Sequence, residues 1–195
     1  HGRTFGSLSV TSGTSYRKPF EPLVPGVTFV SPDEPESLHR AVSGRTAAII
    51  VEPIQGEGGV NMPDKNYLKT LRKICNASKI LLIFDEVQTG FGRLGDTFWG
   101  FEQHHVIPDI VVVGKPMGNG HPMGAVITTD AIVQSFETGM EFFSSFGGNP
   151  VSCEIGLAVL DVIENENLQR NAMIIGNHLK HGLSKLQNKY PIIGD

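Results

Sequence analysis

Two stretches decide how this chain folds: Lys79-Ile-Leu-Leu-Ile-Phe-Asp85-Glu86-Val87-Gln88 and Asp109-Ile-Val-Val-Val-Gly114-Lys115. Each holds a short continuous apolar run, the pattern of a strand buried on both faces. Each run also delivers a charged group at its end, a carboxylate in the first and a lysine in the second. The flexible Pro116-Met-Gly-Asn-Gly-His-Pro-Met-Gly124 comes directly after the lysine. If the two strands lie side by side in a parallel sheet, acid and amine emerge at the same edge.

Working outward, the spacing of apolar residues places further elements. Residues 1–31 read as a short helical or irregular start and a Pro/Gly-rich connection ending in Val27-Thr-Phe-Val30. Pro32 to Ser43 reads as a helix: Pro32 fits its first turn, Asp33, Glu34 and Glu36 its N-terminus, and Gly44 its end. Thr46-Ala-Ala-Ile-Ile-Val51 is another buried strand, and Pro63 to Ala77 carries Tyr67, Leu68, Leu71, Ile74 and Cys75 at helical spacing. Phe98 to Gln103 is a short helix, Ala125-Val-Ile-Thr-Thr129 a strand, Asp130 to Glu137 a helix, and Phe142-Phe-Ser-Ser145 extended. Long helices over Pro150 to Asn165 and Glu166 to Lys189 follow, with Pro191-Ile-Ile starting a strand. Apolar strands alternating with amphipathic helices predict an α/β fold, a doubly wound and mostly parallel sheet.

Composition narrows the function classes. A chain of 195 residues, 39% apolar and 18% charged, can bury a real core as one domain. A net charge of −4 offers no basic stripe for nucleic acid, and no run of about 18 apolar residues exists to cross a membrane. Cys75 and Cys153 sit in apolar-periodic segments and read as reduced core thiols of a cytoplasmic protein. His104-His105 are adjacent, so their side chains diverge, and no second ligand set stands at metal spacing; no metal is expected.

The acid and the lysine suit pyridoxal 5'-phosphate, whose aldehyde needs an amine and whose ring nitrogen needs a carboxylate. Asp85 paired with the pyridinium keeps that nitrogen protonated, so the ring withdraws electrons from a developing carbanion. The bland alternative is an acid that caps the next turn. Gln88 is placed to bond the phenolic oxygen and Val87 to lie against the ring face. Glu86 stands in the same cofactor-binding stretch, its side chain expected to point away and support the loop. Lys115 is the candidate for the covalent link and the proton shuttle; the alternative is a solvated surface lysine.

Other motifs carry less. Gly90-Phe-Gly92-Arg-Leu-Gly95 matches the dinucleotide fingerprint literally, but Asp96-Thr-Phe-Trp-Gly100 breaks the helix it should open. Gly114-Lys115-Pro116 is no P-loop, because the lysine precedes the glycines. Ser144-Ser145-Phe-Gly-Gly-Asn149-Pro150 puts hydroxyls and glycines before a helix, a fair anion site. Val51-Glu52-Pro53-Ile-Gln55-Gly-Glu57-Gly-Gly59 ends a strand in a tight loop and brings Glu52 near the same sheet edge.

Taken together, His1-Gly-Arg-Thr4, Val51 to Gly59, Phe84-Asp-Glu-Val-Gln-Thr-Gly-Phe-Gly-Arg93, Lys115 and Phe146-Gly-Gly-Asn-Pro150 resemble the class III (ω-type) aminotransferases of fold type I. The resemblance implies that Lys115 is the Schiff-base lysine, that Asp85 binds the ring nitrogen and that Gln88 binds the ring oxygen. It implies that Ser145, where the family usually has threonine, reaches the cofactor phosphate of the neighbouring subunit of a homodimer. Arg3 and Ser144 are implied in binding a substrate carboxylate, and Glu52 in gating a substrate arginine. On the same grounds residues 1–195 correspond to part of the large cofactor domain, without the upstream phosphate loop and the C-terminal small domain. The implied reaction moves an amino group between an amino acid and a 2-oxo acid. Arg17-Lys-Pro-Phe-Glu-Pro-Leu-Val-Pro-Gly26 is similar to acetylornithine-type enzymes, whereas Gly114-Lys-Pro-Met-Gly-Asn-Gly-His-Pro122 is similar to the alanine–glyoxylate aminotransferase 2 group and its phospho-lyase relatives. A phospho-lyase acting on an amino-alcohol phosphate, and a cofactor-free α/β module, are the alternative functions.

Overall fold

The computed structural model describes residues 1–32, 34–139 and 141–194. Its centre is a four-stranded sheet of β1 (Ala48–Val51), β2 (Leu81–Asp85), β3 (Ile110–Val113) and β4 (Ala125–Thr128), in that spatial order. The first three strands are parallel and β4 runs antiparallel to β3. The α/β, mostly parallel sheet expected from the sequence is therefore present.

Alternation within β2 explains how the sheet buries itself. Leu82 and Phe84 point to one face and are fully buried. They meet Leu68, Leu71, Ile74 and Cys75 from the amphipathic helix α4 (Tyr67–Ser78), together with Leu38 from α3 (Pro35–Ala41). Leu68, Leu71 and Cys75 are themselves fully excluded from water, each adding roughly 1–3 kcal/mol of burial. For α4, Lys79 in the left-handed region supplies the stop, where its N–H and that of Ile80 return to the last turn. The opposite sheet face is less covered, with Ile50 and Val126 exposed.

Asp109 staples the far end of the sheet. Its Oδ2 accepts from the Leu82 N–H at 2.7 Å and from Arg72 of α4 at 2.8 Å, while its carbonyl accepts from the Thr128 hydroxyl. One residue thus ties together β2, β3, β4 and α4, so the strands cannot slip in register without breaking a charged pair.

The remaining elements depart from the sequence reading in instructive places. The start is two short helices, α1 (Phe5–Ser9) and α2 (Thr14–Arg17), with Thr4 capping the first. α3 begins at Pro35 rather than Pro32, because Glu34 is its N-cap; Asp33 lies outside the described residues. The segment expected to be helical from Phe98 is a 3-10 turn over Gly100–His104. β4 leads into α5 (Asp130–Phe136). Phe142 to Ser145 is irregular and forms no strand, and Pro191-Ile192 is a turn rather than the start of one. The long helices are α6 (Pro150–Asn165) and α7 (Leu168–Lys189), separated at Asn167, which takes φ 52°. No helix among the described residues is long and apolar enough to cross a membrane.

Candidate active site

The parallel register fixes what meets at the carboxyl edge. Val51 pairs with Phe84, and Asp85 with Val112. Glu52 is thus the first residue beyond β1, Asp85 is the last of β2, and Lys115 follows β3 by two residues. These are the three strand ends where α/β sheets hold ligands. Pro53, Val87 and Thr89 are buried just beyond them, so the edge is floored rather than open.

Asp85 is 4% exposed and fully engaged. Its Oδ1 accepts from the Val87 N–H at 3.2 Å and lies 2.9 Å from Nδ1 of His1. Oδ2 lies against the backbone nitrogen of His1. A carboxylate held almost free of water at a strand end is an acceptor of the kind a pyridinium N–H requires, so the acid fits the ring of pyridoxal phosphate. His1 is a contact that spacing alone does not show. It is remote in sequence from Asp85, and its place in the His1-Gly-Arg3 stretch is the one signal that was available.

Val87 packs with its methyl groups against Gly114, immediately before the lysine; a Cβ at Gly114 would sit 3.6 Å from them. Gln88 lies beside Gly56 of the loop that follows β1, where a Cβ would sit 3.4 Å from its Cγ. Glu52 has one oxygen buried without a partner. Burial, and then the charge of Asp85, push its carboxyl above the ordinary range; the Gly56 amide, the chain's ammonium and Lys115 pull the other way. Glu52 thus feels the charges of both Asp85 and Lys115 at this sheet edge. Lys115 itself is solvent-accessible and lines a cavity of about 430 Å³ with Gly120, His121, Pro122 and Met123.

Glu86 does not join this group. Its side chain is fully buried on the other side, where Oε2 accepts from the Thr89 hydroxyl and Gly100 N–H and Oε1 from Phe101 N–H. Burial raises its proton affinity, and those three donors oppose the rise. The carboxylate supports the 90–101 loop, as its alternation with Asp85 requires, and its observed hydrogen bonds go to that loop and to Thr89 just before it. The same loop explains the dinucleotide-like glycines. Gly92 and Gly95 take positive φ, and Gly95 lies so near Met173 of α7 that a Cβ would sit 2.7 Å from its backbone. These glycines let a helix approach and open none.

Arg3, Ser144 and Ser145 stand apart. The Arg3 guanidinium lies 4.3 Å over the Tyr16 ring, an unanticipated cation–π support. Ser144 accepts from the Gly147 N–H at 3.0 Å and so shapes its own loop, while Ser145 is exposed. Neither serine hydrogen-bonds the Asp85 group among the described residues.

Comparisons with known proteins agree with this geometry. The family model Aminotransferase class-III matches residues 1–195. The chain is 45% identical to the acetylornithine aminotransferase of Prochlorococcus marinus, over 98% of its own length and 46% of the relative's. It is 44% identical to ornithine aminotransferase 1 of Staphylococcus aureus, over 99% and 48%. Among solved structures, the ornithine aminotransferase of Toxoplasma gondii, described with partial occupancy of PLP at its active site, superposes with a TM-score of 0.91 at 34% identity, covering all of this chain and 46% of that one. The chain spans about half the length of the curated relatives it matches. Matched along its whole length, it belongs to the class-III aminotransferases.

Proposed function

We propose that the protein is a pyridoxal-phosphate-dependent transaminase, moving an amino group between an amino acid and a 2-oxo acid. The observation that carries this reading is the register that sets Asp85 and Lys115 at adjacent strand ends. When bound, the cofactor supplies an electron sink for a carbanion at the substrate's Cα. Asp85 would accept the ring N–H and keep it protonated. His1 and the Val87 amide fix the orientation of that carboxylate. Val87 offers an apolar surface to the ring, and Gln88 a donor to its oxygen. Lys115 Nζ would hold the cofactor and would carry the proton to and from the substrate's Cα.

Around that centre, Arg3 and Ser144 bind a substrate carboxylate, and Glu52 offers its unpartnered oxygen to a guanidinium at the mouth of the site. Ser145 serves the phosphate of a neighbouring subunit, which makes the enzyme a homodimer. Its exposure in the single chain supports that reading. Residues 1–195 are read as part of the large cofactor domain of a cytoplasmic enzyme. The names of the relatives favour amino donors of the ornithine and acetylornithine type.

The test uses the full-length protein with pyridoxal phosphate, ornithine or N-acetylornithine, and a 2-oxo acid such as 2-oxoglutarate. Amino-acid product must form only when the oxo acid is present, with ping-pong kinetics. Phosphate released from ethanolamine phosphate with no oxo-acid requirement would overturn the transaminase reading in favour of a lyase.

A further inference from the structure

The segment after Lys115 is built rather than slack. Asn119 and Gly120 adopt φ of 44° and 105° in succession, and a Cβ at Gly118 would collide with the His121 carbonyl. Two contacts dock this segment on α6. His121 Nε2 lies 2.9 Å from Ser152 Oγ, 31 residues away. Met123 covers Gly156, one turn further along, where a Cβ would sit 2.9 Å from the Met123 methyl. Gly156 is the buried residue of α6, so the helix keeps a flat place for that methyl.

Ser152 is itself anchored. The Asn149 side chain caps α6 by accepting from the Val151 and Ser152 N–H groups at 3.0 and 3.2 Å. Asn149 ends the loop that carries Ser144 and Ser145. The first turn of α6 therefore touches two loops at once, one bearing the lysine and the other the hydroxyls. His121 lines the same cavity as Lys115.

We propose that His121 is a positioning residue whose bond to Ser152 clasps the Lys115 segment to the start of α6. The clasp fixes the lysine relative to the 144–148 loop. Either imidazole tautomer can make it, since the serine hydroxyl both donates and accepts. The motif Gly118-Asn-Gly-His-Pro122 thereby acquires a job: two left-handed residues turn the chain so that the imidazole reaches the helix.

The effect on turnover rests on the reading of Lys115 as the cofactor-bearing amine; the effect on the loops does not. The experiment compares His121→Phe, Ser152→Ala, their double variant and His121→Gln in the full-length protein. Amide hydrogen exchange, measured without cofactor, must speed up in both 117–123 and 145–148 for either single variant. The double variant must be no faster than the singles, and His121→Gln, which keeps a donor, must stay near wild type. With pyridoxal phosphate, kcat must fall roughly tenfold in the singles while KM for the amino donor moves less than about twofold, the pattern of a lost positioning contact. Exchange that is unchanged, confined to 117–123, or additive in the double variant would overturn the clasp. A wild-type protein that binds no pyridoxal phosphate would sink the functional reading instead, with the exchange data still deciding the clasp.

Discussion

At the scale of single residues, the site is a problem of placing two carboxylates and an amine together without neutralising the wrong one. Asp85 meets it with a backbone amide, an imidazole and near-complete burial. Glu52 has an oxygen with no partner, and burial raises its proton affinity. An acid raised in this way holds its proton more tightly folded than unfolded. Its favourable contribution is complete below the ordinary value of 4.5 and is lost as pH climbs through the raised one. Glu52→Gln lacks this titration. Its melting temperature, relative to wild type, is therefore expected to be higher at about pH 8 than at about pH 5. A difference that is flat or reversed between those two conditions would mean that Glu52 is paired in the folded protein. The placement of Asp85 and Lys115 at adjacent strand ends was legible because apolar runs with sharp charged limits mark where buried strands stop. The contacts of His1, Tyr16 and His121 were not, since each depends on a partner brought near only by folding.

Among the elements, strands were read more closely than helices. An apolar run such as Ile110-Val-Val-Val113 has sharp polar limits, and the sheet formed within them. Helix starts shifted because local hydrogen bonds choose among several plausible first residues. Glu34 took the cap of α3, and α4 began at Tyr67 after Asn66, four residues beyond the expected start. The sharpest case is the 3-10 turn at Gly100–His104, whose stability depends on a residue outside it. Glu86 supplies the acceptor for both of its first amides, which the turn's own sequence does not announce. Glu86→Ala would leave those two amides and the Thr89 hydroxyl without an acceptor in a dry site. The expected loss is about 3 kcal/mol in urea unfolding of the full-length protein. A loss below about 1 kcal/mol would show that water enters and replaces the carboxylate.

For the whole molecule, the organising fact is that β1, β2 and β3 run the same way and therefore deliver their C-terminal residues to one edge. The α3–α4 layer and the Asp109 staple hold that edge in register from the other side of the sheet. The sheet edge gathers Glu52, Asp85 and Lys115, while Arg3, Ser144 and Ser145 lie exposed on segments outside the sheet. This division accounts for why the sequence reads as chemistry more readily than as specificity. The proposed activity depends on one claim, that Lys115 is the amine that carries the cofactor. The direct measurement is to load the full-length protein with pyridoxal phosphate, reduce with borohydride, digest it and map the modified peptide by mass spectrometry. The account predicts a pyridoxyl group on Lys115, absent in Lys115→Ala. A stable adduct on another lysine in the wild type, or an undiminished one in Lys115→Ala, would contradict it.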